Sequence, residues 1–150
     1  MQPHSFEVSA EWRGDSNSSG TLSSPGGLHC QFAVPTEFGG PGGCPSPEEM
    51  FLASIASCYV ITLAYIAQTK KLPLQSQTIH IKGTVERDAQ TRKLRFTQII
   101  IQLNLKVAGE LNDAQRESLL KSAYDAKGFC LVSNSVREDI QFHIETQISQ

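Results

Sequence analysis

The sequence predicts an α+β fold, with elements in the order βββ-α-ββ-α-β over a single domain spanning residues 1–150. Three observations carry this reading. Apolar residues alternate with period two near the start, in the middle and at the end of the chain. Two segments open on helix-capping signatures and continue with helical apolar spacing. The strands fall in neighbouring pairs that read as antiparallel rather than as a βαβ series.

Taken in order, Phe6, Val8, Ala10 and Trp12 alternate with Ser5, Glu7, Ser9 and Glu11, the pattern of a half-buried strand. Gly14–Gly20 is a turn or short loop, and Leu28–Val34 is a further short strand. Pro35–Pro45 is irregular and rich in Gly and Pro, and it lacks the GxxxxGK[ST] spacing of a phosphate cradle. Ser46, Pro47 and Glu49 then mark a helix start, and the helix runs to about Lys70, before Pro73. Met50–Ala67 carries no charge and sits at the lower edge of transmembrane length, but Ser54, Ser57, Cys58 and Thr62 dilute it. A central helix buried on most faces is the preferred reading.

Two long strands follow. Ile79, Ile81 and Val85 share one face of the first, and Asp88–Thr91 turns the chain. Thr97, Ile99, Ile101, Leu103, Leu105 and Val107 share one face of the second, with a bulge or strong twist expected near Phe96. A second helix begins near Asn112, with Gln115 in capping-box position, and ends at Gly128 as a left-handed cap. Ile140, Phe142, Ile144 and Ile148 alternate along a last strand.

Thirteen basic against fifteen acidic side chains give a net charge of −2, and no basic stripe is present, which argues against nucleic acid. The first residues lack the apolar run of a secretory signal, so a cytoplasmic location with free thiols is expected. Cysteines stand at 30, 44, 58 and 130, with no CxxC or HxxxH pair to found a metal site. Cys–His hydrolysis is weak, because a mid-helix Cys58 is offered no free backbone N–H groups as an oxyanion hole. Redox use of Cys58 requires a thiolate, a cation to hold it and a second thiol to capture the oxidised sulfur. Without those, a cysteine in an apolar helix is a small hydrophobe. Cys30 shares the parity of Leu28, Phe32 and Val34 and reads as a core thiol, and Cys44 lies in the Gly/Pro loop.

Pro47-Glu48-Glu49-Met50-Phe51, followed by Ala53 and Ala56-Ser57-Cys58, resembles the first cysteine motif of the OsmC/Ohr family. This is the family of osmotically inducible protein C and organic hydroperoxide resistance protein. Glu48 to Cys58 has that motif's ten-residue spacing, and Gly39–Gly43 resembles the loop before it. Cys130-Leu131-Val132-Ser133-Asn134 resembles the second motif, with Leu131 where the motif carries proline. The resemblance implies an OsmC-like intertwined homodimer around a long central helix. It implies a peroxidatic Cys58, a resolving Cys130, and Arg13 as the activating cation held by Glu48. It further implies an organic hydroperoxide substrate, a lipoyl or other dithiol reductant, and neither cofactor nor membrane. The alternative function is a dimeric module that binds a small hydrophobic ligand on the same scaffold without catalysis.

Overall fold

The computed structural model describes residues 2–150, and the chain divides into two compact units, Met1–Phe51 and Leu52–Gln150. The first unit holds an antiparallel sheet of β1 (Ser9–Trp12), β2 (Ser19–Ser23) and β3 (His29–Ala33), in that order. Gly20 sits opposite both Trp12 and Phe32, whose rings lie 5.5 Å apart. A Cβ at Gly20 would meet the Phe32 ring and the Glu11 carbonyl at 2.6 Å, so only glycine fits between them.

β1 is shorter than the alternation from Phe6 predicts, and it is exposed along its whole length rather than half-buried. Its ladder stops where β2 stops. Ser9 pairs with Ser23, and the Ser24–Leu28 turn then carries the chain away, leaving Phe6 and Val8 without a partner strand. The Gly/Pro segment is irregular apart from a single 3-10 turn at Thr36–Phe38.

Helix α1 (Pro47–Thr69) starts as its sequence signals. The Ser46 hydroxyl accepts the Glu49 N–H at 3.2 Å, and the Glu49 carboxylate accepts the Ser46 N–H at 2.8 Å. Within the second unit, α1 buries a single i, i+4 stripe of Ile55, Tyr59, Leu63 and Ala67. The expectation of a helix buried on most faces is therefore corrected. Ile61 and Tyr65, between the stripe residues, are 68% and 69% exposed. By length and composition α1 could cross a membrane. It instead behaves as a core helix along its buried stripe, with Tyr59 donating to the Ala123 carbonyl and Gln77 donating to the Val60 carbonyl.

β4 (Leu74–Arg87) and β5 (Leu94–Val107) form a long antiparallel hairpin. At its turn the Asp88 carboxylate accepts N–H groups of Gln90 and Thr91. Ile99, Ile101, Leu103, Leu105 and Val107 are buried, the face their parity predicts. Thr84 pairs with Gln98 but Val85 pairs with Phe96, so Thr97 is a bulge next to Phe96.

Helix α2 (Asp113–Phe129) carries the predicted capping box between Asn112 and Gln115. It leads into β6 (Gln141–Ser149), which pairs parallel to β5. The second sheet, β4-β5-β6, is thus mixed, not antiparallel throughout as the strand pairs suggested. The reason is the crossover. A 17-residue helix returns the chain to the end at which β5 began, so β6 runs with β5. Gly128 does not end α2 in a left-handed conformation; the helix continues to Phe129 and stops at Cys130, whose backbone is extended. A four-residue helix, α3 (Leu131–Asn134), follows immediately and was not anticipated.

Candidate active site

The two cysteines singled out by the sequence meet within the second unit. Cys58 lies in the middle of α1 and is half-buried; Cys130 is fully buried at the junction of α2 and α3. Both are free thiols in side-chain hydrogen-bond contact. Cys130 owes its position to a double role. Its N–H closes the last turn of α2 onto the Ala126 carbonyl, and its carbonyl accepts the Asn134 N–H. Its sulfur caps α3 by accepting the Ser133 N–H at 3.4 Å.

The environment divides one proton unevenly between the two sulfurs. Burial opposes ionisation of Cys58 and is the largest single influence on it. The Cys130 thiol, the Val132 N–H, the nearby Thr62 hydroxyl and the Leu131 N–H nevertheless favour its charged form, and together they hold its pKa below the ordinary thiol value. Cys130 is pushed up, first by burial and then because its S–H is donated to Cys58. Tyr59, the next residue on the buried stripe, is also pushed up, by burial and by the charge that Cys130 would carry. The arrangement is a low-pKa sulfur beside a high-pKa sulfur, the division that a nucleophile and its resolving partner need.

Thr62, Leu131 and Val132 were not found from the sequence. Thr62 carried a weak signal, since it stands one turn after Cys58 in the same helix. Leu131 and Val132 act through their main chain and leave no trace in side-chain chemistry. Thr62 also donates to the Cys58 carbonyl at 2.8 Å, which keeps its hydroxyl beside the sulfur. It lines an open, mainly apolar groove of about 590 Å³ with Ile61, Tyr65, Ile66, Thr69 and Phe129. Neither cysteine lines the groove, but Phe129 directly precedes Cys130 in the chain and Thr62 follows Cys58 by one turn of α1.

Arg13 and Glu48 belong to the first unit. Arg13 is largely exposed and pairs with Glu11, Nε to Oε1 at 2.7 Å, rather than with Glu48. Glu48, in the first turn of α1, has a buried Oε2 that meets no hydrogen-bond partner among the described residues. The Arg13–Glu48 pairing implied by resemblance is therefore not made within this chain. Cys30 is half-buried, and Cys44 donates weakly to Gln31 Oε1 at 3.7 Å.

The chain resembles known proteins over most of its length. The family model described as OsmC-like protein matches residues 40–145, a span that includes both cysteines. The chain is 26% identical to the uncharacterized protein YmaD of Bacillus subtilis, over 99% of this chain and 97% of that protein. It is 28% identical to the organic hydroperoxide resistance protein of Xanthomonas axonopodis pv. citri, over 79% of each. Among solved structures, an OsmC-like protein of unknown function from Vibrio cholerae superposes with a TM-score of 0.78 at 18% identity, covering 98% of this chain and all of that one.

Proposed function

Because this chain belongs to the OsmC-like protein family, we propose that it is a thiol peroxidase that reduces organic hydroperoxides with Cys58 and Cys130. The observation that carries the reading is the hydrogen bond between a thiol of lowered pKa and a second, buried thiol of raised pKa. The Cys58 thiolate attacks the outer oxygen of R–O–OH. The O–O bond breaks, alkoxide leaves and takes up a proton as alcohol, and Cys58 becomes a sulfenic acid. The Cys130 sulfur then displaces hydroxide from that sulfur, so that water and a Cys58–Cys130 disulfide form. A dithiol reductant, lipoyl or similar, returns both sulfurs to thiols.

The apolar groove beside Thr62 and Phe129 suits the alkyl part of such a substrate. Similarity to the Xanthomonas organic hydroperoxide resistance protein favours the same substrate class. Arg13 is proposed as the cation that steadies the leaving alkoxide, with Glu48 as its holder in the active assembly. The two units are taken as one OsmC-like domain over 1–150, working as a homodimer in the reducing cytoplasm, where four free thiols persist.

The test is a titration of the reduced protein with one equivalent of cumene hydroperoxide, followed by disulfide mapping. A Cys58–Cys130 bond that dihydrolipoamide reverses is the expected product. Cys58→Ser is expected to abolish turnover, and Cys130→Ser to leave Cys58 open to over-oxidation. Full turnover by Cys58→Ser would overturn the reading.

A further inference from the structure

Ser133 is the third residue of α3 and is only 3% exposed. Its N–H donates to Cys130 Sγ at 3.4 Å, which seats the residue against the thiol. Its hydroxyl is buried and meets no hydrogen-bond partner among the described residues. A buried hydroxyl without a partner costs free energy, so one that is kept calls for a reason. Helix capping does not supply it. In a capping box the side chain of the third residue reaches back to the N–H of the residue before the helix. Here that residue is Cys130, and its N–H is already taken by the Ala126 carbonyl. The Ser133 hydroxyl is left with no backbone donor to serve. Its oxygen lies three bonds from the N–H that the sulfur accepts, so a turn about Cα–Cβ brings it to or from Cys130.

We propose that the Ser133 hydroxyl serves the resolving step: it donates to the Cys130 sulfur once that sulfur is a thiolate, and so helps set the rate at which Cys130 attacks oxidised Cys58. The inference rests on the reading of Cys130 as the resolving thiol, and it adds the residue that acts on it. While Cys130 keeps its proton the sulfur is a weak acceptor and already holds the Ser133 N–H. Once charged, it takes a second donor strongly, and a thiolate buried this deeply needs one. The pull of Ser133 on Cys130 is downward in pKa, against the rise that burial imposes. Cys58 and Tyr59 of α1 are the other titratable groups that bear on Cys130, and a change at Ser133 alters neither.

The test needs no peroxide. In a chain carrying Cys30→Ser and Cys44→Ser, Cys58 attacks 2,2′-dipyridyl disulfide, releases one pyridinethione and keeps the other half as a mixed disulfide. The Cys130 thiolate then attacks the Cys58 sulfur, the bond to the pyridyl sulfur breaks, and a second pyridinethione leaves as the Cys58–Cys130 disulfide forms. Absorbance reads the two releases as two phases, the second independent of reagent concentration. Ser133→Ala is expected to leave the first phase unchanged and to raise the pH midpoint of the second by roughly one unit. At pH 7 the second phase should slow roughly three- to tenfold, because a less stabilised thiolate is scarcer but more nucleophilic. Ser133→Thr, which keeps the hydroxyl, is expected to stay near the parent, and Ser133→Val, its match in shape, to fall with Ser133→Ala. The resting fold is expected to be at least as resistant to urea in Ser133→Ala as in the parent, since the hydroxyl removed has no partner there.

An unshifted second phase in Ser133→Ala would overturn the inference, as would an equal slowing of both phases or equal second phases in Ser133→Thr and Ser133→Val. Should Ser133→Ala fail to fold, the Thr and Val pair decides alone. A parent that shows no second release would remove Cys130 as a resolving thiol and the inference with it. A second phase that shifts as expected, in a protein that forms no disulfide with cumene hydroperoxide, would keep the inference and sink the peroxidase reading.

Discussion

At the scale of single residues, the site depends on two sulfurs that compete for one proton. Cys130→Ala removes the S–H donor, so the midpoint of Cys58 alkylation should rise, and the rise should be absent when Cys30 or Cys44 is replaced instead. The same coupling sets the sign of two stability terms. Cys58 has a folded pKa below its unfolded value, so its contribution is present above the unfolded value and is lost as pH falls through the folded one. Cys130 has a raised pKa, so its contribution is present below the unfolded value and is lost as pH rises through the folded one. The two oppose each other. Denaturant midpoints of the parent should therefore vary less between pH 7 and 9 than those of Cys58→Ala, in which the opposing Cys58 contribution is gone while burial still raises Cys130. Tyr59→Phe, which deletes the bond to the Ala123 carbonyl, should cost about 1 kcal/mol in the same assay. The cysteines were legible because side-chain identity and spacing mark them. The Leu131 and Val132 donors were not, since every residue but proline has an N–H and only the fold decides where it points.

At the scale of elements, local signals held where neighbouring residues decide the structure and failed where distant ones do. Both capping boxes and the hairpin turn rest on bonds spanning three residues or fewer, and all are present. Asn112→Ala should accordingly lower stability by about 1 kcal/mol, measured by urea unfolding, without changing thiol chemistry. The parallel pairing of β5 with β6 escaped notice because alternation reports which face is buried and not which way a strand runs. α3 escaped because four residues hold barely one helical turn, too few for a period to show. The bulge near Phe96 was legible as a change of parity, and the structure adds its consequence. With Thr97 extruded, the Phe96 ring lies over Gly83, where a Cβ would meet Phe96 Cε1 at 2.5 Å and Leu52 Cδ2 at 3.0 Å. Gly83→Ala should therefore overpack this corner and cost about 1–3 kcal/mol by the same measurement.

At the scale of the whole molecule, the decisive quantity is apolar surface that one chain leaves uncovered. In the second unit Ile61, Tyr65, Tyr124, Phe129 and Leu131 are each about two-thirds exposed or more. Monomeric proteins rarely carry so many large apolar side chains on one region, and such patches mark interaction sites. Ile61 and Tyr65 stand one helical turn apart on α1, so they form a ridge rather than scattered exposures. In the first unit β1 is exposed along its length although its sequence alternates as if one face were to be covered. The sequence and the single chain disagree at these two places, and a second copy of the chain is the economical cover for both. This is the physical argument for the proposed homodimer. Sedimentation equilibrium at micromolar concentration should give twice the chain mass, and Tyr65→Glu, which sets a charge on the α1 ridge, should give the monomer. Because Tyr65 lies on an exposed face, its replacement should leave the unit folded by circular dichroism. If the site is completed only in the dimer, hydroperoxide turnover per chain of the parent should fall with its dimer fraction as the parent is diluted. A parent protein that sediments as a monomer would remove the cover assigned to both surfaces, and Arg13 would then have to reach the thiol pair within one chain or not at all.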